Sequence, residues 1–137
     1  MENIKIMLVD DEPDFLEIMG AVIRGWNYNV ITASSGREAL EMLESAKPDI
    51  VVLDYLMPGM DGIEVLKEMR KTDKGVPVIM FTAHPNMKVI KGTEKLSISA
   101  FIPKLSTYSD VSASLKSTIE MIVKSLHKKA DVGDIGT

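Results

Sequence analysis

The sequence has no cysteine, which excludes both a disulfide framework and a metal site built on thiolates. It has no apolar run near the roughly 18 to 20 residues that a membrane-spanning helix needs, and the N-terminal segment MENIKIMLVDDE does not have the pattern of a signal peptide. It also has no excess of positive charge, because 16 Lys and Arg residues stand against 20 Asp and Glu residues. We therefore expect a cytoplasmic protein that contacts neither a membrane nor nucleic acid directly.

What the sequence does have is enough apolar material for one core. The chain has 137 residues, of which 45% are hydrophobic, and this is the size of a single domain. Only the C-terminal stretch KKADVGDIGT lacks a periodic apolar pattern. We expect one domain over residues 1–128, followed by a flexible tail or the start of a linker over residues 129–137.

Short apolar runs alternate with segments of helical periodicity along the whole chain. The apolar runs predict strands at residues 4–9, 28–33, 49–54, 76–82 and 99–103. Continuous apolar runs are typical of strands that are buried on both faces, so helices should cover both sides of a parallel sheet. The pattern therefore predicts a doubly wound α/β fold.

The segments between these strands carry signals for helix starts. Pro13 suits the first turn of a helix, where its missing N–H group costs nothing. Ser35 with Glu38, and Asp61 with Glu64, have the spacing of capping boxes and open the second and third predicted helices. The fourth and fifth helices are predicted over residues 86–95 and 108–128.

Polar side chains follow four of the predicted strands at their carboxyl ends, which meet at one edge of a parallel sheet. They are Asp10, Asp11, Glu12, Asp54, Thr82 and Lys104. Clustered carboxylates repel one another unless a cation is present, and oxygen ligands suit a hard ion such as Mg²⁺. Lys104 and Thr82 add a positive charge and a hydroxyl donor, which suit a phosphate-like oxyanion. Asp54 is then either a metal ligand alone or also a nucleophile that forms an acyl phosphate.

Four motifs that contain these residues, MLVDDE, VVLDYLMPGMDG, MFTA and AFIPK, resemble in order and spacing those of response-regulator receiver domains. The resemblance covers about residues 3–128. It implies a flavodoxin-like fold, in which a five-stranded parallel sheet of strand order 2-1-3-4-5 is flanked by five helices.

The resemblance also implies a role for each site residue. Asp54 is the phosphoacceptor, and Asp10, Asp11, Asp54 and the backbone carbonyl of Leu56 bind Mg²⁺. Thr82 and Lys104 contact the phosphoryl group. Thr82 and Phe101 form the conformational switch, while Leu56 and His84 flank the site and tune the phosphoryl lifetime.

The partners are implied in the same way. A sensor histidine kinase or a phosphotransfer protein offers a phosphohistidine, and Asp54 takes its phosphoryl group. The face made by the fourth predicted helix, the fifth strand and the fifth predicted helix then changes shape and regulates an unknown output protein or domain. The domain is expected to be a monomer, with dimerisation on phosphorylation left open. Phosphoryl uptake and loss are self-catalysed, so the protein is not expected to be an enzyme in the metabolic sense.

Two departures and two alternatives bear on this interpretation. Leu105 follows Lys104 where the family usually has Pro, and the segment EKLSISAF lacks the usual Gly-Ala pair.

One alternative is a Mg²⁺-dependent phosphatase or phosphotransferase of related fold. Against it, the chain has no insertion for a substrate cap, and Leu56 stands where such enzymes favour an acidic residue. The other alternative is a receiver-like binding module that works without phosphorylation.

Overall fold

The computed structural model describes residues 3–83, 91, 96–104 and 108–135. Strands and helices alternate along most of the described chain. The strands are β1 (Lys5–Val9), β2 (Asn29–Ala33), β3 (Ile50–Asp54), β4 (Val78–Thr82) and β5 (Ala100–Pro103). The helices are α1 (Pro13–Arg24), α2 (Gly36–Ala46), α3 (Gly62–Thr72) and α4 (Tyr108–Ile135).

The five strands form one sheet in the order β2-β1-β3-β4-β5, and every neighbouring pair is parallel. This confirms the parallel sheet that the apolar runs predicted and the strand order that the family resemblance implied. The order reverses at β1, which has β2 on one side and β3 on the other. In doubly wound sheets, ligands bind at the carboxyl ends of the strands beside such a switch point.

Two apolar clusters cover the two faces of the sheet. On one face, α1 and α4 bury large branched and aromatic side chains, among them Phe15, Ile23, Leu115 and Ile119. On the other face, α2 and α3 bury apolar side chains, among them Ala39, Leu43, Val65 and Met69, and Met80 of β4 belongs to the same cluster. β3 and β4 are fully buried along their length, as the continuous apolar runs predicted.

The structure contains the capping hydrogen bonds that the sequence predicted at the starts of α2 and α3. The backbone N–H of Glu38 donates to Ser35 Oγ over 3.1 Å, and that of Glu64 donates to Asp61 Oδ1 over 2.9 Å. Each bond satisfies a backbone N–H group that has no partner inside its helix. Pro13 occupies the start of α1, where no N–H group is needed.

The C-terminal helix is longer than the sequence predicted. The expected range was 108–128, whereas α4 runs to Ile135 and includes most of the residues assigned to a flexible tail. No proline interrupts residues 108–135, and each residue added to an existing helix gains a backbone hydrogen bond without a new nucleation cost. The fourth predicted helix, at residues 86–95, lies almost entirely outside the described residues. Within the described part of the chain, no helix has the length and apolar character needed to cross a membrane.

Candidate functional site

Three aspartates meet at the carboxyl edge of the sheet, next to the switch point. Asp10 follows β1 directly, Asp11 is the next residue, and Asp54 ends β3. One carboxylate oxygen of each lies within 4.8 Å of those of the other two. Asp10 is fully buried and Asp54 is only 3% exposed, so two of the three carboxylates lie almost out of contact with water. The predicted convergence of these residues is confirmed.

The backbone around Asp54 is fixed on both sides. The N–H of Tyr55 donates to the carbonyl of Phe81 over 2.8 Å, and the N–H of Gly62 donates back to the carbonyl of Tyr55 over 2.7 Å. A Cβ atom on Gly62 would lie 2.8 Å from the carbonyl oxygen of Asp54, so only glycine allows α3 to begin this close to β3. Gly59 adopts a φ of 84°, a left-handed conformation that favours glycine. The two glycines of the PGMDG turn thus hold the loop after Asp54 in shape.

Lys104 supplies the positive charge of the site. Its backbone N–H donates to the carbonyl of Thr82 over 2.9 Å, which fixes the exit of β5 beside that of β4. Its ammonium lies 2.8 Å from Asp10 Oδ2, 2.9 Å from Glu12 Oε1 and 3.5 Å from Asp54 Oδ2. The Lys104 side chain therefore leans towards the segment between β1 and α1, and its contact with Asp54 is the longest of the three.

An aromatic ring forms a further side of the Lys104 environment. The ammonium lies 4.6 Å from the ring centroid of Phe15, a distance typical of a cation–π contact. The Phe15 ring in turn packs edge-to-face against Phe81, with centroids 5.7 Å apart. Because Phe15 and Phe81 are buried in the core, they give the lysine side chain a rigid support.

The titration behaviour of these groups follows from their burial. Burial and the neighbouring Asp10 charge raise the pKa of Asp54 from 3.8 to about 6, although Lys104 opposes the shift. Burial also raises the pKa of Asp10, against the hydrogen bond from Lys104 that lowers it. Burial alone would lower the pKa of Lys104, but its hydrogen bonds to Asp10 and Glu12 outweigh burial and raise it. The site therefore holds the lysine firmly charged, and its described part has fewer positive than negative groups.

This shortage fits a metal ion. Asp10, Asp11 and Asp54 offer only oxygen ligands, and among the residues that the structure describes one ammonium, that of Lys104, faces these three carboxylates. Hard divalent cations prefer such donors, whereas softer metals prefer imidazole or thiolate. The donor set of the cluster thus has the chemistry of a hard-cation site at the edge of the sheet.

The other predicted site residues differ in their position in the fold and in their exposure. Thr82 ends β4 and is 2% exposed, at the same edge of the sheet. Leu56 follows closely after Asp54, and its side chain is 70% exposed. Phe101 is half-buried in β5 and packs against the methionine-rich core between the sheet and the helices α2 and α3. His84 and Leu105 lie outside the described residues.

Two neighbours of Lys104 were not predicted as its partners. Glu12 was grouped with the other carboxylates, yet its carboxylate pairs with the lysine, while its backbone N–H donates to Asp10 Oδ1. Phe15 was assigned to the core on its helical spacing, and it does lie in the core, but it also supports the ammonium. The acidic triplet DDE was a signal for Glu12, whereas no signal in the sequence pointed to the second role of Phe15.

The sequence profile described as the response regulator receiver domain matches residues 6–116. The chain belongs to this family. It is a receiver domain of response regulators, the phosphorylatable module of two-component signalling. The resemblance of the four motifs to those of receiver domains is thereby confirmed.

Curated relatives of this receiver domain differ greatly in length. The transcriptional regulatory protein ZraR of Escherichia coli K12 is 34% identical over 118 residues, which are 86% of this chain and 27% of ZraR. Sporulation initiation phosphotransferase F of Bacillus subtilis is 36% identical over 96 residues, which are 70% of this chain and 77% of that protein. The chain thus spans about a quarter of the first relative and most of the second.

Solved structures show the same fold. The Vibrio cholerae chemotaxis protein CheY4 superposes with a TM-score of 0.79 at 25% identity, over 87% of this chain and 98% of that one. A chain of the CheX–CheY–BeF3–Mg complex from Borrelia burgdorferi gives a TM-score of 0.78 at 27% identity, over 88% of this chain and 89% of that one. These likenesses support the flavodoxin-like strand order described above.

Proposed function

We propose that Asp54 is the phosphoacceptor of this receiver domain. The observation that carries the proposal is the position of Asp54. It is the last residue of the buried central strand β3, and one of its carboxylate oxygens lies within 4.8 Å of those of Asp10 and Asp11. Asp61 lies on the same loop, but it caps α3 and takes no part in the cluster. Of these two aspartates, only Asp54 combines burial with a place among other carboxylates.

The proposed reaction is a transfer between a partner phosphohistidine and Asp54. A carboxylate oxygen of Asp54 attacks phosphorus, the P–N bond to the imidazole breaks, and its electron pair stays on the imidazole nitrogen. The product is an acyl phosphate on Asp54. The reaction needs the ionised carboxylate, and a pKa of about 6 leaves Asp54 mostly ionised near pH 7.

Asp10, Asp11 and Asp54 are the side chains proposed to hold Mg²⁺, and the backbone carbonyl of Leu56 is proposed as a fourth ligand. When bound, the ion supplies positive charge that offsets the charge of the incoming phosphoryl group. Lys104 contributes a fixed positive charge beside Asp54, since its raised pKa keeps the ammonium protonated. Thr82 adds a buried hydroxyl at the same edge of the sheet.

The roles of the surrounding residues follow from the family. Thr82 and Phe101 are proposed as the switch that carries the change at Asp54 to the surface that contains β5 and α4. Leu56 and His84 are proposed to tune the lifetime of the acyl phosphate. Leu56 is two residues after Asp54 and is 70% exposed, so it is accessible to water and to a partner, which supports this role.

The partners proposed are a sensor histidine kinase or phosphotransfer protein upstream and an output protein or domain downstream, in the cytoplasm. Several curated relatives are named transcriptional regulators, and one is named a phosphotransferase. For this chain we propose self-catalysed phosphoryl uptake and loss rather than turnover of a separate substrate. The solved CheX–CheY complex with beryllofluoride and magnesium supports the same ligand chemistry here.

The test is phosphorylation by a small donor. The protein is incubated with acetyl phosphate and Mg²⁺, and its intact mass is measured before and after treatment with hydroxylamine, which cleaves acyl phosphates. We expect one added phosphoryl group on the wild type and on Asp61→Asn, and none on Asp54→Asn or without Mg²⁺. Asp61→Asn is the matched control, because it changes the same functional group on the same loop and its amide can still cap α3. Uptake by Asp54→Asn at the wild-type level would contradict the proposal.

A further inference from the structure

The ammonium of Lys104 has three carboxylate acceptors around it, at unequal distances. It has three N–H donors, and two of the acceptors, Asp10 Oδ2 and Glu12 Oε1, lie at 2.8 and 2.9 Å. Asp54 Oδ2 lies at 3.5 Å, the outer limit of a hydrogen bond. The contacts with Asp10 and Glu12 therefore hold the ammonium away from the proposed phosphoacceptor.

The two short contacts differ in how easily they break. Asp10 is fully buried, and its other carboxylate oxygen accepts the backbone N–H of Glu12 over 2.9 Å, so both of its oxygens are fixed. The Glu12 side chain is 60% exposed and can take its hydrogen bonds from water instead. Exposed ion pairs are weak for this reason. Of the two short contacts, the one with Glu12 is therefore the one that the lysine can exchange.

We propose that Glu12 is a positioning residue that competes with Asp54 for the Lys104 ammonium. In the resting domain, Glu12 holds the ammonium on the side of α1. Phosphorylation of Asp54 adds negative charge beside the lysine, and the ammonium then leaves Glu12 for the phosphoryl oxygens. This inference rests on the proposed function, since it assigns a resting partner to the lysine of the same site.

The proposal predicts the effect of removing this partner. In Glu12→Gln, the ammonium loses a charged acceptor but keeps Asp10, Asp54 and the Phe15 ring. The ammonium then interacts more strongly with Asp54, and a phosphoryl mimic no longer has to compete with the Glu12 carboxylate for it. Since an exposed ion pair contributes little, the affinity for beryllofluoride should rise roughly two- to fivefold.

A control is needed because Glu12→Gln also removes a negative charge near the metal site. Asp14→Asn removes the same charge from the same end of α1, where Asp14 is exposed in the first turn and is not among the ion-pair partners of Lys104. Any long-range effect of charge on Mg²⁺ or on the anionic mimic should appear in both variants. The competition should appear only in Glu12→Gln.

Two measurements test the proposal. The first is the NMR signal of the Lys104 side-chain ammonium and its neighbouring methylene, assigned by its absence in Lys104→Met and recorded without any phosphoryl mimic. The second is the dissociation constant of beryllofluoride at saturating Mg²⁺. We expect the Lys104 signal to shift in Glu12→Gln but not in Asp14→Asn, and beryllofluoride to bind more tightly to Glu12→Gln than to Asp14→Asn.

An unshifted Lys104 signal in Glu12→Gln would overturn the proposal, as would beryllofluoride binding no tighter than that of Asp14→Asn. Failure of the proposed function looks different. The wild type would then bind no beryllofluoride. The Lys104 signal is recorded without a mimic, so it would still show whether Glu12 holds the ammonium in the resting domain.

Discussion

Two aspartates flank the central strand β3, and they illustrate opposite uses of a carboxylate. Asp49 precedes the strand at the amino edge of the sheet, where Asp49 Oδ2 accepts the backbone N–H of Lys5 over 2.8 Å. At the same edge, Lys5 Nζ donates a hydrogen bond to the carbonyl of Ala46 over 2.8 Å. Asp54 ends the strand at the carboxyl edge, buried beside Asp10, with a long contact of 3.5 Å to Lys104.

The comparison teaches that the same residue type stabilises one edge of the sheet and destabilises the other. At the amino edge the carboxylate satisfies a backbone donor, which is a net gain in stability. At the carboxyl edge the raised pKa of Asp54 shows that burying its charge opposes folding. We infer that the carboxyl edge is maintained for its chemistry, and variants at and around both edges should separate the two roles.

Lys104→Met should have the largest effect on stability. It removes the ammonium and leaves Asp10 and Asp54 buried without a counter-charge. Loss of one partner from a buried ion pair typically costs about 3 to 5 kcal/mol, and we expect a loss near the lower end from urea unfolding at pH 7. Lys71→Met is the control, because its pair with Glu68 lies on the exposed surface of α3 and should contribute little. Equal losses in the two variants would contradict the buried ion-pair role that Lys104 has at the carboxyl edge.

Gly62→Ala should destabilise by about 1 to 3 kcal/mol, because the added methyl group meets backbone atoms that have little room to move. The nearest are the Asp54 carbonyl oxygen at 2.8 Å and Tyr55 Cα at 2.9 Å. Gly75→Ala is the control, since a Cβ atom there meets nothing within 4 Å. If Gly62→Ala unfolds at the same urea concentration as Gly75→Ala, the close approach of α3 to β3 is not as described.

Asp54→Asn should stabilise the metal-free domain at pH 7 by about 2 kcal/mol, somewhat less than a pKa shift of this size implies. Because the pKa of Asp54 is raised from 3.8 to about 6 on folding, the folded state binds more protons than the unfolded state between these values. This contribution to stability is therefore full below pH 3.8 and is lost as the pH rises through about 6. The difference in unfolding free energy between wild type and Asp54→Asn should follow this course, and a difference that is constant with pH would contradict it.

Asp49→Asn should have the smallest effect and the opposite sign. The amide oxygen can still accept the Lys5 N–H, so only the contribution of the charge to that bond is lost. We expect a destabilisation of about 0.5 to 1 kcal/mol, again from urea unfolding. A stabilised Asp49→Asn variant would remove the contrast with Asp54.

Much of this architecture follows from local patterns that act over short stretches of sequence. Buried parallel strands read as continuous apolar runs, so the strands and the place of Asp10, Asp54 and Thr82 at their ends were predictable. The caps at Ser35 and Asp61 were predictable because a capping bond joins residues three apart.

The features that were missed depend on contacts between distant segments. Glu12 reaches Lys104 only because β1 and β5 end at the same edge of the sheet, with side chains of matching length. Arg70 of α3 likewise donates to the carbonyls of Leu96, over 2.7 Å, and of Ser97, over 3.1 Å, and no local pattern indicates this contact. The end of α4 was misplaced for another reason, since its last residues have weak helix propensity but continue a helix that is already formed.

The cost of the Asp54 charge and its relief by a metal ion can be measured together, as the unfolding free energies of wild type and Asp54→Asn at pH 7.5, each with and without Mg²⁺. Ions that bind only the folded state stabilise it. Without Mg²⁺, Asp54→Asn should be the more stable protein. Saturating Mg²⁺ should stabilise the wild type strongly and the variant much less, so that the gap closes or reverses. A wild type that is already more stable than Asp54→Asn without Mg²⁺, or that gains no more from the ion than the variant does, would contradict the account.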